Sequence, residues 1–188
     1  IKSIFFVDDY GSGIQQKYKI PVWLRPAIAG CLLGVIAIKF PHIIGVGYET
    51  TARALVGSFE LSTIIMFLVA KVVAVVVTLG GRMGGGVFSP SLMLGALIGL
   101  AFGLIATSIF PNVSGSENLY ALVGMGAFAA AVLGAPISTT LIIFELTGNW
   151  QVGLAVMVAV SSSTALTSKF VDKSFFLSQL SRRNLNLI

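Results

Sequence analysis

The residues with the most chemical potential here are ones without side chains. Gly80-Gly81-Arg82-Met83-Gly84-Gly85-Gly86 runs straight into Val87-Phe88-Ser89-Pro90. Glycine leaves backbone N–H groups open to a ligand. Ser89-Pro90 reads as a helix start, because proline lacks the N–H that goes unpaired in a first turn. A helix N-terminus carries a partial positive charge, so the run can build an anion site without a basic side chain. It is not a nucleotide P-loop, since no Gly-Lys-Ser/Thr follows and no strand precedes it. The alternative is a flexible loop between helices.

Lys71 and Glu145 are the ionisable residues deepest in apolar sequence. Charges in such surroundings are costly and tend to be paired or functional. A structural Lys71–Glu145 ion pair is the expected arrangement, with a proton-carrying Glu145 as the alternative. Ser89 as the nucleophile of an intramembrane protease would need His42, the only histidine, as its base. The neighbouring Pro90 points to helix initiation instead of a reactive elbow. His42 follows Pro41 and reads as an interfacial loop residue, and the single cysteine, Cys31, as a small apolar filler. One histidine and one cysteine make no metal cluster. Neither a cofactor nor an enzymatic activity is expected.

The elements that must position these residues follow from composition. In 188 residues, 56% are hydrophobic and 10% charged, with a net charge of +5. A soluble domain carries roughly 25% charged residues, so this chain could not hide its apolar surface in a compact water-soluble fold. A disulfide scaffold and a disordered tail are excluded as well. Nucleic-acid binding is not expected, because the basic residues are scattered between long uncharged runs. Met83–Ser116, Asn118–Phe144 and Leu146–Ser168 lack charge entirely. Each exceeds the roughly 20 residues that cross a bilayer core. Leu61–Gly80 is a fourth candidate, interrupted only by Lys71, and Ala27–Ile38 a shorter fifth. The chain is predicted to be a multi-pass integral membrane protein.

Its blocks are cut by Gly and Pro at 80–86, at Ser89-Pro90 and at Gly134-Ala135-Pro136. Backbone broken at membrane depth must be buried in protein or line a watery cavity, as the broken helices of transporters do; some of these cuts could also be plain loops. Helices are expected at Val22–Phe40, Tyr48–Leu55, Leu61–Leu79, Phe88–Phe110, Leu119–Leu133, Pro136–Thr147 and Val152–Phe170, with a last short one from near Lys173. Gly95, Gly99 and Gly103 form a small-residue ridge suited to close helix packing, and Gly30 and Gly34 repeat the spacing. Lys169, Lys173, Arg182 and Arg183 gather after the last block, which places the C-terminal end in the cytoplasm by the positive-inside rule.

Several segments together resemble the CLC family of chloride channels and proton–chloride antiporters. Gly85-Gly86-Val87-Phe88-Ser89-Pro90 resembles that family's Gly-x-Phe-x-Pro anion motif. Gly124–Ala130 leading through Ala135-Pro136-Ile137-Ser138 to Phe144-Glu145-Leu146-Thr147-Gly148-Asn149-Trp150 resembles its paired helices and Glu-x-Thr signature. Ile20–Pro26 and Gly45-Val46-Gly47-Tyr48 are similar to it too. The resemblance spans nearly the whole chain but only the second of the family's two inverted repeats. The gating glutamate of Gly-x-Glu-x-Pro has no counterpart among Glu49, Glu60, Glu117 and Glu145. Gly11-Ser12-Gly13-Ile14-Gln15 mimics the first repeat's serine motif, yet Gln15 stands where proline belongs, and the serine is not carried over. The chain starts at Ile1 instead of methionine and reads as a fragment.

The resemblance implies an all-α membrane fold of broken and tilted helices. Positions 17–80 would hold the first helices, 81–118 the anion-motif loop and its helix, 119–170 paired helices at a homodimer contact, and 171–188 the last helix. The transported ligand would be chloride, held by the N–H groups of Val87 and Phe88 with Gly86, Ser89 and Pro90 around them. Phe176 falls where the family has a tyrosine hydroxyl, so one contact to the anion is missing. The implied partners are the lipid bilayer, a second copy of the chain and the N-terminal half of the same protein. Channel and antiporter are not distinguished. The rivals are a non-conducting scaffold that only dimerises and, more distantly, the protease.

Overall fold

A computed structural model describes residues 2–18, 21, 23–171 and 174–182. Every regular element among the described residues is helical. In chain order these are α1 (Lys2–Tyr18), α2 (Leu24–Lys39), a 3-10 turn at Pro41–Ile43, α3 (Tyr48–Leu55), α4 (Leu61–Gly80), α5 (Phe88–Ile109), α6 (Glu117–Leu133), α7 (Pro136–Thr147), α8 (Trp150–Phe170) and α9 (Phe175–Arg182).

Among the described residues, three helices are long and apolar enough to cross a membrane: α4, α5 and the one that begins at Trp150. The uncharged block at Asn118–Phe144 is not a single span. It is two helices of 17 and 12 residues, and at 1.5 Å per residue the second covers only about 18 Å. Gly134 makes the break, with φ 71° at the C-cap of α6, where its N–H donates to the Ala130 carbonyl at 2.9 Å. That left-handed conformation is one glycine adopts without strain. Pro136 then opens α7, and Asn149 caps α8 by accepting from the N–H groups of Gln151 and Val152.

The core lies where α6 packs between α5 and α8. Glycine permits the α5–α6 contact. A Cβ on Gly95 would stand 2.6 Å from the Gly124 carbonyl oxygen, and one on Gly99 would overlap that of Tyr120. Around this ridge Met93, Leu97, Leu100, Ala121, Met125, Ile143 and Val156 are fully or almost fully buried. The ridge therefore packs as its spacing predicts.

Two expectations need correction. Gly34 makes no close approach: a Cβ there would meet nothing within 4 Å, and at Gly30 it would meet only the Met83 Cε, at 3.9 Å. Cys31 is exposed on α2 and fills no core position. One helix has no counterpart in the apolar pattern. α1 is polar on much of its surface, contains Gly11 and Gly13, and docks on α4, where Val7 covers Gly80. The start expected at Val22 lies outside the described residues, and α2 is helical from Leu24.

Candidate functional site

The site begins where α4 ends. Gly81 N–H returns to the Val77 carbonyl at 2.8 Å, Arg82 N–H to Leu79 at 3.1 Å and Met83 N–H to Thr78 at 3.0 Å, so the chain winds off α4 in a tight turn. Gly84, Gly85 and Gly86 follow without regular structure, and a Cβ on Gly84 or Gly86 would meet nothing within 4 Å. Val87 is the N-cap of α5, buried and with no side-chain acceptor to offer. Its carbonyl instead receives the Ser91 N–H at 3.1 Å and the Ser91 hydroxyl at 2.6 Å, which locks the first turn from within.

The first turn of a helix has N–H groups without intrahelical partners. Among the described residues no acceptor takes the N–H of Val87, Phe88 or Ser89, and Pro90 has none to give. The Ser89 hydroxyl donates 2.6 Å to the Val46 carbonyl and so ties α5 to the 44–47 loop. It does not face His42, whose ring packs edge-on against Phe67 at 6.2 Å. The nucleophile–base pair of a protease is therefore not formed.

Next to this first turn lies a cavity of about 700 Å³. Gly86, Phe88, Ser89 and Pro90 line it on one side, Ile44–Val46 on another, and Lys71 with Thr78 of α4 on a third. Gly34 of α2 faces the same space, which explains its lack of a packing partner. Val87 is buried behind this wall.

Lys71 is 3% exposed, and its ammonium donates to the Gly45 carbonyl at 3.1 Å. The expected pair with Glu145 is not present: Glu145 sits on the exposed face of α7, and no ion pair joins the two. The physical reason lies in the 44–47 loop. Gly45 and Gly47 both take positive φ, 68° and 79°, which turns the Gly45 carbonyl toward α4 and supplies the lysine with an acceptor. The sequence signal for this was the Gly-x-Gly spacing beside Tyr48, not a carboxylate. Lysine thus joins the glycine run at one cavity, and it is the charged residue among the described lining groups.

Phe176 is not brought to this cavity. It lies on α9, 48% exposed, with its ring edge-on to Phe175 at 5.5 Å. Phe175 is the buried one of the two, stacked on Phe5 of α1 at 5.7 Å. Ser12 also proves structural. It sits inside α1, donates to the Asp8 carbonyl at 2.7 Å and accepts from the Arg25 and Arg82 guanidiniums, so it occupies no helix N-terminus.

The arrangement can hold a small anion by oriented backbone dipoles, with a lysine ammonium in the same wall and no carboxylate among the described lining residues. The chain is similar in sequence and fold to known proteins. The family described as voltage gated chloride channel matches residues 5–168. The chain is 36% identical over 151 residues to a ClcB-like protein of Ralstonia nicotianae, covering 80% of this chain and 35% of that one. It is 30% identical over 165 residues to the H(+)/Cl(-) exchange transporter ClcA of Salmonella agona, covering 87% of this chain and 35% of the relative. The fold matches that of a slow cyanobacterial Cl-/H+ antiporter with a TM-score of 0.81 at 24% identity, over 97% of this chain and 42% of that one. The chain thus spans about a third of the length of the curated relatives it matches.

Proposed function

This chain belongs to the voltage gated chloride channel family, and from that premise we propose that it supplies one half of an anion pathway across a membrane. One observation carries the reading: the N–H groups of Val87, Phe88 and Ser89 find no acceptor among the described residues, at the edge of a cavity that Lys71 also lines. Backbone donors replace part of an anion's hydration shell without binding it as a full ion pair would. The ion can then leave as well as enter. Chloride is the ligand this chemistry suits, and no cofactor or catalytic step is required.

The exposed apolar surface supports the setting. α2 presents Ile28, Leu32, Val35 and Ile38, and α4 presents Ile65, Val69, Val72 and Val73, on faces that lipid or another protein segment would cover. An N-terminal repeat of the same protein would complete the pathway, since this chain holds one wall of it. On α7 and α8, Ile137, Leu141, Leu146 and Trp150 are exposed in the region assigned to a homodimer contact. The C-terminal end is assigned to the cytoplasm from Lys169 and Arg182; Lys173 and Arg183 lie outside the described residues.

The test is anion flux from liposomes containing the full-length protein. Phe88→Ala, which removes a ring from the cavity wall, is expected to change the flux and its anion preference more than Ser91→Ala, whose hydroxyl is occupied within the helix. Equal and negligible effects would count against the assignment and favour the scaffold.

A further inference from the structure

Arg82 is the one described non-glycine residue with positive φ, at 57°. An L side chain is strained in that region and glycine is not. The position sits inside a glycine-rich run, so a glycine there would make the same turn free of strain. The arginine side chain must therefore contribute something that offsets the backbone cost.

Its contacts show what that is. Arg82 Nε donates to Asp8 Oδ1 at 3.0 Å and Nη2 to the Ser12 hydroxyl at 3.2 Å, both on α1. The same Asp8 Oδ1 accepts from Arg25 Nη2 at 2.7 Å, and that guanidinium also donates to the Gly80 carbonyl at 2.5 Å, on the last residue of α4. Two guanidiniums from different parts of the chain thus converge on one carboxylate. Gly81, between the two anchored residues, has no room for a side chain, because a Cβ would overlap that of Ala29. The exit from α4 is therefore held on both sides of Gly81. Beyond Arg82 lie only Met83 and three glycines before the donors at Val87 and Phe88, and glycine by itself holds no fixed backbone.

We propose that Arg82 is a positioning residue: through Asp8 and Ser12 it fixes the departure of the glycine run from α4, and so the place at which the Val87 and Phe88 N–H groups meet the anion. The proposal rests on the anion reading above. Arg82 touches no ligand itself and acts through the backbone that follows it.

The experiment is chloride flux against chloride concentration for the full-length protein in liposomes, with melting temperature measured in parallel. Arg82→Gly keeps the left-handed turn and removes the anchor. It is expected to raise the apparent KM for chloride by about tenfold, the scale of one lost charge-assisted hydrogen bond, while the melting temperature holds or rises. Asp8→Asn is expected to shift KM in the same direction, and the double variant to match Arg82→Gly alone. Arg82→Lys keeps the charge without the forked geometry and should not restore KM. Ser12→Ala, which removes one acceptor, tests the same path with a smaller shift should Arg82→Gly not fold. An unchanged KM in Arg82→Gly, or in Ser12→Ala where that variant stands in for it, overturns the proposal, as do additive effects in the double variant. Full rescue by Arg82→Lys assigns the effect to charge and overturns it too. If the folded parent protein passes no chloride at all, the anion reading falls and this proposal with it, an outcome distinct from flux with unaltered KM.

Discussion

Glycine does two opposite things in this molecule. Between α5 and α6, Gly95, Gly99 and Gly124 stand where a Cβ would enter the neighbouring backbone. At the entry to α5, Gly84 and Gly86 stand where a Cβ would meet nothing within 4 Å. In the first region the missing side chain is a missing volume, and it sets how closely two helices approach. In the second there is space to spare, and its absence leaves the backbone bare toward the cavity. Neither Gly84 nor Gly86 takes positive φ, so turn geometry is not what selects glycine there. One residue type serves close packing in one place and leaves backbone open to a cavity in the other, and sequence spacing alone separates them only partly.

The same substitution should split the two regions. Gly99→Ala places a methyl group against the Tyr120 carbonyl in a contact with no slack. Overpacking of this kind costs about 1–3 kcal/mol and sometimes more, so a clear fall in melting temperature in detergent is expected, with anion preference intact in whatever protein still folds. Gly86→Ala should do the reverse. Melting is expected to stay within the error of the measurement, while flux changes, because the added methyl group covers backbone facing the cavity. Equal destabilisation at both sites would dissolve the distinction.

The smallest effect belongs to a contact in neither region. Asp9 is exposed, and its carboxyl is held below the ordinary carboxylate range by the Arg182 guanidinium, which donates 2.7 and 2.8 Å hydrogen bonds. A lowered carboxylate pKa contributes stability above the unfolded value, near 4, that is lost as pH falls through the folded one. Asp9→Asn is therefore expected to lower the melting temperature slightly at neutral pH, and the difference should close in acid. A difference that persists in acid would mean Asp9 acts through something other than its charge.

Much of this fold was legible because apolar runs and helix punctuation agree. α3 and α7 lie where the residues predicted, and the ends of α4, α5 and α8 differ by no more than two residues. Gly134-Ala135-Pro136 announces its own break. α1 was not legible, because its glycines and charges argue against a helix, and what holds it is tertiary: Asp8 reaching Arg25 and Arg82, and Phe5 stacking on Phe175. At the site, the glycine run and the Ser-Pro helix start could be read directly. The partner of Lys71 could not. Pairing two lonely charges is a reasonable inference from sequence, but a carbonyl turned inward by two left-handed glycines satisfies the lysine just as well and leaves no mark beyond their spacing. The load on Arg82 was hidden for a similar reason, since its acceptors lie 70 and 74 residues away.

That burial of Lys71 has a consequence for behaviour in concentrated salt. At physiological ionic strength, exposed charges are screened over about 8 Å, and buried ones much less. Arg82 is half-exposed, so its field fades as electrolyte is added, whereas Lys71 is enclosed and pinned to a carbonyl. Added electrolyte therefore weakens the field of Lys71 at the cavity less than it weakens that of Arg82 at the surface.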